Sequence, residues 1–171
     1  YAPAIYEADE YVLVPRITEP GYLDKILEIC REKQITGVLS LIDPELSLLA
    51  DNKERFLEIG TVPIVPDAKQ VDICFHKYAM YEACKALGFA TGRCFLDRKE
   101  FYRAVENGEL TYPVFVKPES GSASLDIHMA QDQETVEFLC SREDGLMIQE
   151  FMNGQEYGAD VYIDMLSGEV I

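Results

Sequence analysis

The sequence predicts an α/β protein in which a parallel, Rossmann-like layer precedes an α+β region with an antiparallel sheet. Apolar strand patterns and amphipathic helix patterns alternate as βαβαβ over the first 70 residues, which is typical of a doubly wound layer. From residue 113 short strand patterns dominate, and one helical pattern interrupts them. We therefore expect two domains, at residues 1–70 and 71–171, the second with a first lobe at about 71–145 and the start of a second lobe at about 146–171.

Three short apolar runs supply the predicted strands of the first region, at residues 11–14, 37–42 and 62–65. The run at 37–42 is almost continuously apolar, as in a strand buried in a parallel sheet.

Two helices are predicted between these strands. Pro20 opens the first, and its apolar face is expected to consist of Leu23, Ile26, Leu27 and Cys30. Asp43 and Pro44 have the pattern of an N-cap and a first helical residue, and the second helix is expected to end near Gly60.

The second region is expected to begin with a connector at residues 66–75 and a helix opened by His76 and Lys77. That helix runs to Gly88 on an apolar stripe formed by Ala79, Met80, Ala83, Cys84 and Leu87. Residues 97–100 have the pattern of a capping box before the next helix. Strands are predicted at 113–117, 126–130, 146–150 and 157–165, a helix at about 132–141, and a hairpin turn at Ser167 and Gly168.

Composition excludes several classes of function. The chain has 15 basic and 31 acidic residues and a net charge of −16, which argues against binding to nucleic acid or to an anionic membrane. Its five cysteines are scattered and include no Cys-x-x-Cys pair, so neither a zinc knuckle nor a disulfide framework is predicted, and a reducing cytoplasm is expected. His76 and His128 lack partners at metal-ligand spacing, and no catalytic residue can be assigned.

The most informative segment is the strand that delivers Lys117 and the small-residue loop that follows it. The lysine supplies a point charge for a phosphate, and the loop lets backbone N–H groups approach; its residues are Ser120, Gly121, Ser122, Ala123 and Ser124. Strand alternation places Phe115 on the same face as Lys117, where it could pack on a purine. Taken alone, a surface lysine at a strand end is the better interpretation, and neither a Walker loop nor a Gly-x-Gly-x-x-Gly motif is present.

A second apolar strand ends in a segment suited to adenine, which needs a donor and an acceptor from an extended backbone between apolar walls. The segment consists of Gln149, Glu150, Phe151 and Met152, with Ile148 and Glu150 on one face of the strand. Glu156 could accept from ribose hydroxyls, although two solvated acids flanking a turn are an equally good interpretation. Lys77 at a helix start opposes the helix dipole unless an anion partners it, and a solvated helix end is the alternative.

Together these motifs resemble the ATP-grasp superfamily, and most closely the group that includes the carbamoyl-phosphate synthase large subunit. The matching segments are 76–77, 113–118, 121–124, 149–157 and 159–164, while residues 41–46 resemble the pre-ATP-grasp domain. The resemblance implies that Lys77 and Lys117 reach the phosphates of ATP under a loop at 120–124, that 149–152 hold adenine, and that Glu156 binds ribose.

The resemblance also implies a chemistry, with ATP and Mg²⁺ as cofactors. A small carboxylate or a bicarbonate-like substrate would be activated as an acyl phosphate and captured by a nitrogen nucleophile. The metal-binding carboxylates are expected after Ile171, and the chain is expected to be incomplete at both ends, so little ligase activity is expected from this polypeptide alone. The alternatives are an amino-acid ligase of the same superfamily, a non-catalytic nucleotide-binding module, and a plain α/β protein without ATP affinity; homodimer formation is left open.

Overall fold

The structure is a computed structural model that describes residues 3–121, 125–164 and 166–171. After a 3₁₀ turn at Pro3–Tyr6, the helices of the described residues are α1 (Tyr22–Glu32), α2 (Asp43–Asp51), α3 (Lys53–Leu57), α4 (Ala68–Phe75), α5 (Lys77–Ala86), α6 (Arg98–Glu106) and α7 (Gln133–Arg142). The strands are β1 (Gly37–Val38), β2 (Val62–Pro63), β3 (Cys94–Phe95), β4 (Val114–Pro118), β5 (His128–Ala130) and β6 (Leu146–Glu150). These elements form a mixed α/β fold with a parallel and an antiparallel sheet, as the sequence predicts.

The first sheet pairs β1 with β2 in parallel, with Gly37 opposite Val62. Helices α1 to α4 all contribute to the hydrophobic cluster beside this sheet, which consists of Leu27, Cys30, Leu49, Ala50, Phe56, Val65 and Val71. The stripe predicted for α1 is confirmed, because Leu27 and Cys30 are buried and Leu23 and Ile26 pack against the same cluster. Burial of these side chains provides the main stabilisation of the layer.

Two strand predictions in this layer are wrong. Residues 11–14 form no strand, and Leu13 is 81% exposed. The predicted strand at 37–42 ends at Val38, and Leu41 is 91% exposed. The chain is irregular at residues 39–41 and bends at Ile42, whose N–H donates to the hydroxyl oxygen of Ser40 at 3.1 Å. An apolar run becomes a strand only where a neighbouring strand pairs with it, and that partner is not visible in the local pattern.

The helix boundaries of the layer also differ from the prediction. Ile42 is the N-cap of α2, so Asp43 and Pro44 occupy the first two helical positions. The helix ends at Asp51 instead of continuing to Gly60, which has a φ of 82° and follows the short α3. The predicted connector at 66–75 is largely helix α4, because Val71 packs into the first cluster and secures one face of that short segment.

The second sheet has the strand order β3-β6-β4-β5, and its paired strands are antiparallel. The register places Val116 opposite Ile148 and Val114 opposite Ala130. Helices α6 and α7 pack on one face of this sheet and form a second cluster, consisting of Phe101, Ala104, Leu110, Val114, Val116, Ala130, Val136 and Ile148. The strands predicted at 113–117 and 146–150 are confirmed, and the one at 126–130 is shortened to β5.

Beyond β6 the chain departs from the prediction. Met165 lies outside the described residues. Among those described, the strand expected at 157–165 is absent, and only an isolated bridge joins Ile163 to Val170. That bridge flanks the expected turn, where Gly168 has a φ of 73°.

Asp97 caps α6 by accepting from the N–H of Lys99 at 2.7 Å, which is an N-cap without the reciprocal half of a capping box.

Among the described residues, no helix combines the length and the apolar character needed to cross a bilayer. The two hydrophobic clusters draw on different stretches of chain, the first up to Val71 and the second from Phe101 onward. The domain boundary near residue 70 stays a prediction.

Candidate nucleotide site

Strand β4 has one face in the hydrophobic core, and its other face carries partly exposed side chains. Val114 and Val116 are fully buried, while Phe115 and Lys117 are half-buried on the opposite face, as strand alternation predicts. Because directly paired residues share a face, Gln149, which pairs with Phe115, joins this second face. We refer to it as the ligand face.

The register moves the side chain of Glu150 away from that face. Glu150 pairs with Val114 and therefore points to the opposite side of the sheet from Lys117. Its carboxylate accepts the N–H of Arg93 at 2.9 Å, and its own N–H donates to the Arg93 carbonyl at 2.8 Å. The Glu150 side chain thus anchors β6 to the residue before β3, and any contact of this residue with a nucleotide has to use its backbone.

Lys117 lies in the middle of the ligand face. Its Nζ donates to Oε1 of Gln149 at 2.5 Å. Burial lowers the pKa of Lys117. Cys94 raises this pKa, and the positive charge of Lys77 lowers it. The two ammonium groups are therefore close enough to repel each other, although 40 positions of sequence separate the residues.

Lys77 reaches this region from the start of α5. Its Nζ donates to the carbonyl of Gly121 at 3.0 Å, and its backbone N–H donates to the carbonyl of Glu119 at 3.0 Å. His76 forms an isolated antiparallel bridge with Ser120. The structure thus brings Lys77, Lys117 and the start of the predicted phosphate loop together, whereas Ser122, Ala123 and Ser124 lie outside the described residues.

Neither lysine is neutralised by an acidic side chain among the described residues. Within the described ranges, the ion pairs of the structure include neither Lys77 nor Lys117. This is notable in a chain with 31 acidic residues and a net charge of −16. Two adjacent cations without a carboxylate attract an anion and are unfavourable without one.

A cavity of about 580 Å³ adjoins the ligand face and is lined by Phe115 and by every residue from 149 to 156. Phe115 and Phe151 form its aromatic wall, with ring centroids 5.5 Å apart. Met152 packs against Gly92, where an added Cβ would lie 3.3 Å from the Met152 thioether sulfur. The cavity thus has an apolar part formed by Phe115, Phe151 and Met152. Its lining also includes Gln149, which is the hydrogen-bond partner of Lys117.

The predicted adenine and ribose residues all line the cavity: Phe115, Gln149, Glu150, Phe151, Met152 and the solvent-exposed Glu156. Lys77, Lys117, Ser120 and Gly121 lie outside this lining, near the end of β4. Sequence reasoning missed Glu119, which contacts the helix that carries Lys77; its position two residues after Lys117 was the available signal. Their roles in binding a nucleotide stay predictions.

No group of three or more histidine, cysteine, aspartate or glutamate side chains that could hold a metal ion is present in the described part of the chain. Of the two histidines, His76 contacts the carboxylate of Glu119.

Comparison with known sequences identifies two similarities. Residues 1–65 match the family model described as PylC-like, N-terminal domain. Over 90 residues, or 44% of this chain, the sequence is 30% identical to the D-alanine–D-alanine ligase of Ruminiclostridium cellulolyticum. This match spans 24% of that protein's length.

Solved structures extend the similarity to most of the chain. The biotin carboxylase domain of 2-oxoglutarate carboxylase from Hydrogenobacter thermophilus, a dimer in complex with MgADP, ADP and bicarbonate, matches with a TM-score of 0.59 and 20% identity over 85% of this chain and 35% of its own. The L-amino acid ligase of Bacillus licheniformis matches with a TM-score of 0.59 and 18% identity over 84% of this chain and 33% of its own.

The chain shares its fold with these solved structures over most of its length. A match over 85% of the chain has to include the antiparallel sheet as well as the parallel layer covered by the family model. Within this shared fold, the ligand face of β4 and β6, the start of α5 and the cavity at 149–156 together form the candidate site.

Proposed function

We propose that this chain is the ATP-binding part of an ATP-grasp ligase that activates a carboxylate as an acyl phosphate for attack by a nitrogen nucleophile. The observation that carries the proposal is the contact of Lys77 with Glu119 and Gly121, just after the strand that carries Lys117. Neither lysine has an acidic partner among the described residues, and a cavity with two aromatic side chains adjoins the strand. Cations and an apolar cleft in that arrangement suit the two ends of ATP.

The cavity suits the purine. Its volume of about 580 Å³ lies within the usual range of small-molecule sites. Phe115, Phe151 and Met152 supply apolar surface for stacking, and backbone groups of the extended segment after β6 supply the donor and acceptor that adenine requires. Within the described residues, the backbone N–H of Met152 donates no hydrogen bond, so it is free to meet a base.

The lysines suit the phosphates. Burial and repulsion from Lys77 disfavour the charged form of Lys117 in the chain alone, and a nearby anion would favour that form and so oppose both effects. Cationic groups held in advance at a transferring phosphoryl group stabilise the charge that spreads over its oxygens. Lys77 and Lys117 would perform this role from two different secondary-structure elements.

The reaction that we propose is a phosphoryl transfer followed by an acyl transfer. A carboxylate oxygen of the substrate attacks the γ-phosphorus, the bond from that phosphorus to the bridging oxygen breaks, and ADP leaves with the electron pair. A nitrogen nucleophile then attacks the acyl carbon and displaces phosphate. Mg²⁺ is commonly bound through substrate phosphates and one or two carboxylates, and the described residues offer no cluster of three or more carboxylates for it.

Two acyl substrates are supported by different similarities. The carboxylase domain, solved with bicarbonate, favours the bicarbonate-like substrate of a carbamoyl-phosphate-synthase-like enzyme. The D-alanine–D-alanine ligase and the L-amino acid ligase favour the carboxylate of an amino acid. A non-catalytic nucleotide-binding module uses the same site without turnover, and nucleotide binding is therefore the first property to measure.

Isothermal titration of the 171-residue chain with ATP in the presence of MgCl₂ tests the proposal. Lys117→Ala should weaken ATP binding by about 30-fold or more, because a charge-assisted contact is worth about 2 kcal/mol or more. Adenosine, which has no phosphate, should bind both proteins equally. Lys85→Ala is the matched control, since this exposed lysine on α5 pairs with Glu82. Equal ATP affinities of Lys117→Ala and the parent protein would contradict the proposal.

A further inference from the structure

Glu119 connects the strand that carries Lys117 to the helix that carries Lys77. Its side-chain Oε2 lies 2.8 Å from Nδ1 of His76, and its Oε1 accepts the N–H of Tyr78 at 3.3 Å. Its backbone carbonyl accepts the N–H of Lys77 at 3.0 Å. One residue thus contacts three successive residues at the start of α5.

The start of α5 depends on these contacts. The first N–H groups of a helix have no acceptor within the helix and need one from elsewhere. His76 occupies the N-cap of α5 without a side-chain cap hydrogen bond. Glu119 supplies the missing acceptors from more than 40 positions away along the chain, and a carboxylate at a helix N-terminus is also favoured by the helix dipole.

Glu119 is itself held in place. It follows β4 directly, so it lies two residues after Lys117, and its N–H donates to the carbonyl of Gly145 at 3.0 Å. Its side chain is only 22% exposed. The contacts of Glu119 therefore define where the backbone of Lys77 lies relative to Lys117.

We infer that Glu119 is a positioning residue that holds Lys77 at the phosphate end of the nucleotide site. This inference depends on the proposed function. Without the Glu119 side chain, His76 and Tyr78 lose their partner, although the backbone carbonyl of residue 119 can still accept from Lys77. The first turn of α5 is then less firmly held, and the ammonium group of Lys77 spreads over more positions. Affinity for a polyphosphate falls as a result, whereas the cavity at 149–156 keeps its contacts.

A double-mutant cycle separates this role from a general effect on stability. Binding of ATP and of adenosine is measured for the parent, Glu119→Ala, Lys77→Ala and the double variant. Glu119→Ala should weaken ATP binding by about tenfold when Lys77 is present and by less than about twofold when it is absent, because the two residues act as one unit. Adenosine affinity should stay unchanged throughout.

Two further variants guard against misfolding as the cause. Glu119→Gln keeps an oxygen that accepts from Tyr78, so it should recover most of the ATP affinity lost in Glu119→Ala. Glu106→Ala, a change at the exposed last residue of α6, should have no effect. Thermal unfolding of each variant confirms that it is folded.

The outcomes distinguish the two proposals. An equal loss of ATP affinity with and without Lys77, a parallel loss of adenosine affinity, or no loss in either Glu119 variant would overturn the positioning role while leaving ATP binding by the parent intact. A parent chain that binds no ATP would overturn the proposed function and the positioning role with it.

Discussion

Replacing Lys117 with methionine separates the contribution of this lysine to binding from its contribution to stability. The change removes the ammonium group and keeps an unbranched side chain that can occupy the same space. Three interactions of the parent are affected: the hydrogen bond to Gln149, the burial of the charge, and the repulsion from Lys77. The free energy of unfolding depends on how these balance.

The balance is expected to be close to zero. Loss of the hydrogen bond costs on the order of 1 kcal/mol, since Gln149 borders an open cavity where water can replace the lysine. Relief of burial and of repulsion from Lys77 acts in the opposite direction. We therefore expect Lys117→Met to change the free energy of unfolding by less than about 1 kcal/mol.

ATP binding has no such compensation. Loss of a charge-assisted contact with a phosphate costs about 2–4 kcal/mol, which corresponds to about 30- to 700-fold in affinity. Urea unfolding monitored by circular dichroism gives the stability, and isothermal titration with ATP and MgCl₂ gives the affinity. Lys85→Met, on the exposed side of α5, is the control and should alter both values little.

Two results would refute this reasoning. A loss of more than about 3 kcal/mol in the free energy of unfolding would show that the ammonium group of Lys117 is part of the packed structure. An unchanged affinity for ATP would show that no phosphate approaches it.

Three further predictions concern packing, pH and thiol chemistry. Phe101→Ala should lower the free energy of unfolding by about 3–5 kcal/mol in urea titrations, because Phe101 is fully buried in the second cluster; a loss below about 1 kcal/mol would contradict that packing. The hydrogen bond to Glu119 raises the pKa of His76, so protonated His76 stabilises the folded state fully below about pH 6.5, and this stabilisation is lost as the pH rises through the pKa of the folded protein. The difference in free energy of unfolding between the parent and His76→Ala should therefore shrink from pH 6 to pH 9. A constant difference would argue against the contact. Burial raises the pKa of Cys94 to about 11, so a thiol reagent at pH 7.5 should modify exposed Cys74 well before Cys94, as peptide mapping would show; faster labelling of Cys94 would contradict its burial.

Local patterns were sufficient where one element determines its own geometry. The stripe of α1 and the strands β4 and β6 follow from the spacing of apolar residues, and the alternation along β4 correctly placed Phe115 and Lys117 on one face. Side chains return to the same face about every 3.6 residues in a helix and every 2 residues in a strand. The spacing of apolar residues within one segment is therefore enough to predict these features.

Patterns failed where a partner decides the outcome. The apolar residues at 11–14 and 39–42 are exposed because no strand of the described residues pairs with them, and α4 forms at 68–75 because Val71 packs into the first cluster. The direction of the Glu150 side chain depended on the register between β4 and β6, since a residue shares a face with whichever residue it pairs with.

The sequence by itself determined the fold class, the parallel and antiparallel sheets and the residues that are candidates for binding a nucleotide. These features depend on local periodicity and on the order of motifs along the chain. Only the tertiary structure decided that Lys77 contacts the loop after Lys117 and that Glu119 caps the helix carrying Lys77. These contacts join residues more than 40 positions apart. Their geometry depends on how α5 packs against the end of β4, which neither segment specifies alone.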